Sequence, residues 1–219
     1  MKRIPEPELM LDKNQALAYA QADFSEPHDL FVELFSQIFP GESPHYVLDL
    51  GCGTADISTR FAKAYPHCTL HGIDGSQAML QLAKKNLIKN NLEQRIQLSQ
   101  QQLPSVIPIS NYDAIISNAL LHHLQNPQVL WDTIKNNGMT AAPAFVMDLI
   151  RPDNQTHAQE LVQKHAASED KILQRDFFCS LLSAYHPNEV QVQLKEAQLN
   201  TFKLEIVSDR HFIVYGRIP

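Results

Sequence analysis

The sequence lacks several features that mark particular protein classes. Its three cysteines, Cys52, Cys68 and Cys179, are an odd number, lie far apart and form no Cys-x-x-Cys pair, which argues against a disulfide framework, a zinc site and a redox pair. The longest apolar stretch, residues 141–147, is too short to span a bilayer. We therefore predict reduced thiols, no metal site, no membrane segment and a cytoplasmic protein.

Concentrated positive charge is also lacking. The chain has 18 Lys+Arg against 24 Asp+Glu, a net charge of -6, and no dense basic run, so attraction to nucleic-acid phosphates has little support. Residues 1–8 alternate prolines and acids before any apolar run, which predicts no secretory signal. The charge balance favours a neutral or cationic small ligand and no nucleic-acid partner.

The sequence does contain alternating strand and helix patterns. Apolar strand patterns occupy residues 45–50, 68–73, 95–99, 112–117 and 144–149, with helical patterns at 56–65, 76–90 and 127–136 between them. Such alternation predicts crossover units and a parallel sheet. Two last β-rich runs, residues 201–207 and 211–215, are joined by a short polar turn, which predicts an antiparallel pair.

A strand that runs directly into a Gly-x-Gly turn is the central motif, at residues 47–54 (VLDLGCGT). Gly51 and Gly53 lack the Cβ that would block a ligand, and they tolerate a sharp strand-to-helix turn. Asp74 ends the next strand pattern, where its carboxylate can accept both hydroxyls of an adenosyl ribose. A helix N-cap is the alternative role for Asp74.

A dinucleotide is the competing ligand, and the third glycine position separates the two. A dinucleotide fingerprint needs glycine or alanine where this chain has Asp56. An acid at a helix N-terminus disfavours a pyrophosphate. A nicotinamide-dependent oxidoreductase is therefore disfavoured, and an adenosyl ligand without phosphate is favoured.

Three segments resemble the successive motifs of class I S-adenosylmethionine (SAM)-dependent methyltransferases. They are residues 47–54, residues 71–76 (HGIDGS), and residues 112–118 (YDAIISN) followed by residues 121–124 (LHHL). The resemblance implies an α/β three-layer sandwich with a mostly parallel seven-stranded sheet whose last strand is antiparallel. It implies SAM as cofactor, S-adenosylhomocysteine (SAH) as product, and methyl transfer to an oxygen or nitrogen of a small-molecule acceptor.

The resemblance also implies a set of cofactor-binding residues. Asp49 and the Gly51 backbone would hold the methionine amino end of SAM, Asp74 the ribose, and Asn118 would lie near the methyl group. The full expected set is Asp49, Gly51, Cys52, Gly53, Asp74, Gly75, Met79, Gln101, Asn118 and Tyr19.

One departure from the family pattern concerns the adenine. Gly75 stands where the family often has a bulky apolar residue, so we expect Met79 to pack on the adenine instead and Gln101 to meet its amino group. Tyr19 and Phe24 would close over the cofactor, although ordinary helix packing is an equal alternative for both aromatics.

Two adjacent histidines are the candidate catalytic residues. Either His122 or His123 could take a proton from a hydroxyl or amine acceptor. Alternatively they only pack at the start of a short helix, since methyl transfer needs no base when the nucleophile is well positioned. His123, Asp148 and Arg151 are the expected acceptor contacts, with a turn cap and a solvated turn as the alternatives for the last two.

The predicted organisation is an N-terminal helical lid, residues 1–40, and a SAM-binding domain, residues 41–219. A helical cap at residues 153–186 would interrupt that domain and cover the acceptor. The sequence leaves open whether the protein is a monomer or a homodimer. The rival from another class is a catalytically silent SAM-binding protein with the same fold.

Overall fold

The computed structural model describes residues 1–6, 12–105, 107 and 111–219. Its strands are β1 (Tyr46–Leu50), β2 (Thr69–Asp74), β3 (Ile96–Gln100), β4 (Ala114–Asn118), β5 (Pro143–Leu149), β6 (Lys203–Ile206) and β7 (His211–Arg217). Its helices are α1 (Lys13–Gln21), α2 (Ser25–Ile38), α3 (Asp56–Ala64), α4 (Gln77–Asn90), α5 (Gln128–Asn137), α6 (Gln155–Ala166), α7 (Lys171–Ser183) and α8 (Pro187–Glu196). A 3₁₀ turn, Leu121–His123, follows β4.

The strands form one seven-stranded sheet in the order β3-β2-β1-β4-β5-β7-β6. Strands β1 to β5 pair in parallel, whereas β7 runs antiparallel to both β5 and β6. The order reverses between β1 and β4, and open parallel sheets bind ligands beside the strand ends at such a point. The predicted three-layer fold with its reversed last strand is confirmed.

Both faces of the sheet are covered, as parallel sheets require. Along β1, Val47 belongs to the apolar cluster of α2 and α3, whereas Leu48 and Leu50 belong to the cluster of α5 and α8. This alternation follows the two-residue period of a strand. Phe31 of α2 packs edge-on against Phe145 of β5, with ring centroids 4.8 Å apart. Helix α2 is therefore part of a sheet-covering layer.

Two helical pieces lie over the carboxyl ends of the strands. Helix α1 contacts both α4 and α7, so it bridges the two sides of that edge. Helices α6 and α7 pack together over their own apolar cluster, which includes Leu149 of β5. The helical prediction for the cap region is confirmed. Residues 7–11 of the predicted lid lie outside the described residues.

None of the helices in the described part of the chain combines the length and the apolar character needed to cross a membrane.

Candidate active site

A cavity of about 760 Å³ opens at the carboxyl ends of the parallel strands. Ligand pockets of roughly 300–1,000 Å³ are usual for small molecules, so this one has room for a nucleoside-sized cofactor beside a small second ligand. The structure brings most of the predicted cofactor residues to its wall: Tyr19, Gly51, Gly53, Asp74, Gly75, Met79, Gln101 and Asn118.

The Gly-x-Gly turn between β1 and α3 requires both glycines. Gly51 and Gly53 have φ angles of +72° and +53°, a region that other residues adopt at a cost. A Cβ on Gly51 would lie 2.9 Å from Cδ1 of Leu120, and one on Gly53 would lie 3.3 Å from Cε of Met79. Met79 therefore packs on the turn at the cavity wall, where its predicted adenine contact would be made.

Asp74 ends β2 with its carboxylate in the cavity wall. Its two oxygens accept the backbone N–H groups of Gly53 at 2.9 Å and Ser76 at 2.7 Å. Burial raises the pKa of Asp74, and these two bonds oppose the rise. The N-cap of α4 is Ser76, so capping does not explain Asp74. A carboxylate has about four lone-pair sites, which leaves capacity for two ligand hydroxyls.

Two predicted cofactor residues lie outside the cavity. Asp49 is only 1% exposed, and its carboxylate accepts a short hydrogen bond from the Ser58 hydroxyl. Burial raises the pKa of Asp49 to about 7. The Cys52 side chain packs below the turn, because a Cβ on Gly72 would lie 2.9 Å from the Cys52 Sγ. The apolar pattern that predicted β1 does not indicate on which side of the sheet the Asp49 side chain lies, nor where the Cys52 side chain packs after the strand ends.

An aromatic row from the α1–α2 region borders the cavity. The Tyr19 and Phe24 rings lie 4.7 Å apart, and Phe24 stacks on His28 at 5.3 Å. His28 is fixed by a 2.6 Å bond between its Nδ1 and the Asp56 carboxylate. Burial raises the pKa of Tyr19 to about 12. Tyr19 and Phe24 line the cavity, where closure over a cofactor was predicted.

Asp56 stays charged at the start of α3. Burial alone would raise the pKa of Asp56, but hydrogen bonds from His28 and Arg60 lower it to about 2. The carboxylate is ionised as the sequence argument against a pyrophosphate assumed, but it is paired with Arg60 at 2.8 Å and Asp56 does not line the cavity, so its charge bears on a cavity ligand less than predicted.

His122 and Asp148 form a buried pair at the cavity wall. The His122 Nδ1 lies 2.6 Å from the Asp148 carboxylate, whose other oxygen accepts the Leu121 N–H at 2.7 Å. Burial alone would lower the pKa of His122 and raise that of Asp148, but their mutual attraction outweighs burial and shifts both pKa values the opposite way. The imidazolium–carboxylate form is therefore favoured, which makes His122 a strong proton acceptor once deprotonated.

Glu6 is a site residue that the sequence did not predict. One of its carboxylate oxygens lies 3.5 Å from the His122 Nε2 and 3.4 Å from the His123 Nδ1, and it accepts the Ser180 hydroxyl at 3.0 Å. Burial raises the pKa of Glu6. Glu6, His122 and His123 bring three potential ligand atoms within 4.8 Å, a grouping that the prediction of no metal site did not anticipate.

Arg3 explains how the N-terminal segment reaches the site. Its guanidinium donates to the backbone carbonyls of His122 at 2.8 Å and Ser183 at 2.6 Å, and it lies 4.1 Å from the centre of the Tyr185 ring. No sequence signal connects this segment to residues more than 100 positions away, so its contribution could not be found by motif.

Among the predicted acceptor contacts, His123 and Asp148 line the cavity. Arg151 does not. Its guanidinium donates to the Glu189 carboxylate at 2.8 Å and the Ala184 carbonyl at 3.2 Å. Glu189 also accepts the His186 N–H in the capping box of α8. The structure thus assigns Arg151 to holding α8, which corrects its predicted placement in the acceptor pocket. Arg210, part of the turn before β7, lines the cavity instead.

Comparison with known proteins agrees with this geometry. A family model described as "Methyltransferase domain" matches residues 42–201. A trans-aconitate 2-methyltransferase from Delftia acidovorans is 33% identical over 165 residues, which cover 74% of this chain and 57% of that protein. A malonyl-[acyl-carrier protein] O-methyltransferase from Halalkalibacterium halodurans is 30% identical over 112 residues, covering 49% of this chain and 41% of that protein. The matches thus span about half of each relative's length.

Solved structures share the fold at low sequence identity. A SAM-dependent methyltransferase from Aquifex aeolicus superposes with a TM-score of 0.69 at 18% identity, covering 95% of this chain and all (100%) of that one. The plantazolicin methyltransferase BpumL, in complex with a substrate analogue and SAH, gives a TM-score of 0.74 at 15% identity, with coverages of 94% and 91%. The matched family model, the sheet order and the turn beside Asp74 together show that the chain belongs to the class I SAM-dependent methyltransferase family.

Proposed function

We propose that this protein transfers the methyl group of SAM to an oxygen or nitrogen of a small-molecule acceptor. The observation that carries the proposal is the buried His122–Asp148 pair in the wall of the same cavity that contains the Gly51–Gly53 turn and Asp74. Methyl transfer from SAM needs a place for the nucleoside of the cofactor and a place for the acceptor. The turn with Asp74 would supply the first, and His122, as proton acceptor, would lie at the second.

The residues around the turn fit the cofactor. Asp74 would accept the ribose hydroxyls, Met79 would pack on the adenine, and Gly51 with Asn118 would border the methionine end. When bound, SAM supplies an electrophilic methyl group on a sulfonium. The carboxylates in the cavity wall complement that positive charge. Asp49 would act from behind the turn by supporting its conformation through Ser58, since its carboxylate does not face the cavity.

The His122 side chain would act as the general base. Its Nδ1 is engaged by Asp148, so Nε2 is the nitrogen directed towards Glu6. Asp148 fixes the ring orientation and stabilises the imidazolium that forms when the acceptor loses its proton, as in other His–carboxylate pairs. Glu6, opposite the Nε2, would orient the acceptor's O–H or N–H towards that nitrogen.

The helices over the strand ends would enclose the reaction. Residues 1–40 contribute Glu6, Tyr19 and Phe24 to the cavity wall, and the cap at residues 153–186 contributes α6 and α7. Excluding water strengthens the electrostatic interactions in the site and prevents side reactions. We propose that the part of the first region before α2 closes over the cofactor, while α2 stays in the layer that covers the sheet, and that the second region closes over the acceptor.

The relatives support a small acceptor. Trans-aconitate is a small acid, and the malonyl group of the second relative is small although a carrier protein holds it. The malonyl-[acyl-carrier protein] O-methyltransferase is, by its name, an enzyme that transfers the methyl group to oxygen. We extend to this chain only the small size of the acceptor.

A labelling experiment tests the activity. The protein would be incubated with SAM labelled in its methyl group and with fractionated small-molecule extracts, and the label would be followed beside SAH formation. We expect label in a small-molecule fraction, and a rate lower by roughly 10²–10⁴ for His122→Ala, the range for loss of a general base. An exposed-site control is His45→Ala. If no fraction accepts label although SAM binds, the protein is a silent binder and the proposal is wrong.

A further inference from the structure

Arg210 has an unusual position among the charged residues of the cavity. Its side chain is only 12% exposed, and it lines the cavity immediately before β7. Its carbonyl accepts the Ile150 N–H at 2.8 Å, and the next residue, His211, pairs with Leu149 at the end of β5. Arg210 therefore lies beside the same strand end as Asp148.

The hydrogen bonds that the Arg210 guanidinium makes in the structure all come from its Nη1 atom. Its Nη1 donates to the His165 Nδ1 at 2.8 Å and to the Asp209 carboxylate at 3.4 Å. Neither Nε nor Nη2 has an acceptor among the residues that the structure describes. The Nε–Nη2 edge has two parallel N–H groups, which match the two oxygens of a carboxylate.

The local charge count also favours an anion. Lys164 and Arg210 share one carboxylate, that of Asp209, which lies 2.7 Å from the Lys164 Nζ. The same carboxylate lies 2.9 Å from the His165 Nε2, and the Arg210 Nη1 lies 2.8 Å from the Nδ1 and 3.0 Å from the Nε2 of the same ring. His211 adds no positive charge, because burial and then the neighbouring Arg210 lower its pKa to about 3. Within the group of Lys164, Asp209 and Arg210, the cations outnumber the carboxylates by one.

We propose that the Nε–Nη2 edge of Arg210 binds a carboxylate of the methyl acceptor. This inference rests on the proposed function and specifies the chemistry of its acceptor. Because Arg210 and the His122–Asp148 pair flank the same end of β5, the acceptor is a small acid that has a separate protic nucleophile. Its carboxylate is anchored at Arg210, and its hydroxyl or amine lies against His122.

Calorimetry on the full chain saturated with SAH tests the site. The probes are malonate and trans-aconitate, and malonamide is the uncharged probe with the malonate skeleton. We expect saturable binding of at least one anion and none of malonamide. Arg210→Gln should weaken anion binding roughly ten- to hundredfold, as expected for loss of charged hydrogen bonds. Arg210→Lys should give an intermediate loss, because it keeps the charge and loses the paired donors.

Arg217→Gln is the matched control, since Arg217 is half-exposed and pairs with Glu42 away from the cavity. It should leave anion binding unchanged. The inference is overturned if neither anion binds saturably, if malonamide binds equally well, or if Arg210→Gln binds the anions like the unmodified protein. SAH affinity is measured in every variant: unchanged SAH binding with no anion binding contradicts only the acceptor chemistry, whereas absence of SAH binding contradicts the proposed function itself.

Discussion

At the scale of single residues, the site depends on a few groups whose surroundings determine their behaviour. Gly51, Gly53 and Asp74 could be predicted because the turn and the strand end are local features of the sequence. Asp49 and Cys52 lie in the same motif, yet the structure keeps both side chains out of the cavity. Their orientation follows from the face of the sheet and from tertiary packing, which a motif does not specify.

Asp49 gives a prediction about stability. Burial raises its pKa from 3.8 to about 7, so between about pH 4 and pH 7 the folded state retains a proton that the unfolded state has lost. Stability falls with rising pH where the folded state binds more protons. Asp49→Asn, which resembles the protonated form, should thus be more stable than the unmodified protein at pH 8, on the order of 4 kcal/mol.

The measurement is thermal unfolding of the cofactor-free protein from pH 4 to pH 8. The difference between the two proteins should vanish near pH 4. Asp132→Asn, at an exposed position of α5, should show no such trend. A pH-independent difference for Asp49→Asn would contradict the burial argument.

Gly51 gives a second prediction, with a control in the same chain. Gly41 also has a positive φ, +82°, but a Cβ there meets nothing within 4 Å. Gly41→Ala should therefore cost only the backbone strain, about 1 kcal/mol. Gly51→Ala should cost about 1–3 kcal/mol more, because its Cβ collides with Leu120 and overpacks the turn.

Denaturant unfolding of both glycine variants gives the comparison. Introducing Leu120→Ala beside Gly51→Ala should recover part of the extra cost. Equal costs at the two glycines would show that Leu120 does not restrict the turn.

At the scale of elements, the histidine pair depends on β4, β5 and the 3₁₀ turn together. The sequence predicted both strands, and it predicted His122 and Asp148 as separate candidates. It did not predict that they bond to each other, since the pairing requires the lateral order β4-β5 of the sheet. Strand boundaries shifted by a residue or two, as with β4, which begins at Ala114 where the pattern began at Tyr112.

The pairing gives a prediction about titration. The pKa of His122 should lie above its ordinary value of 6.5, because Asp148 outweighs the effect of burial. In Asp148→Asn the largest attraction is lost, while burial and the attraction of Glu6 remain, so the pKa should fall. Nitrogen-detected NMR of the imidazoles in the SAH-bound protein measures both.

An upward shift makes neutral His122 a stronger base, and the proposal assigns that shift to Asp148. Asp176→Asn, which alters a cavity carboxylate not bonded to His122 in the structure, should move the pKa of His122 far less. A His122 whose pKa stays the same in Asp148→Asn would remove Asp148 as the residue that sets its basicity.

At the scale of the whole molecule, the site combines parts that are distant in sequence. The net charge of -6 favoured a neutral or cationic ligand, whereas the wall near Arg210 and Lys164 has a local excess of positive charge. Net charge is a sum over the entire surface, and recognition depends on the few groups that line one cavity. The sequence predicted an N-terminal lid, but Arg3, Glu6 and the Arg210 side chain of the β6–β7 turn reach the site through tertiary contacts, so their individual roles were not predictable.

Calorimetric titration with SAH and with NAD tests the central claim most directly. The cavity and its Asp74 predict micromolar binding of one SAH per chain and no heat from NAD. They also predict that Asp74→Ala weakens SAH binding by about 1.5–3 kcal/mol, the scale of a charged hydrogen bond. Binding of NAD in place of SAH, or an SAH affinity that Asp74→Ala leaves unchanged, would contradict the account.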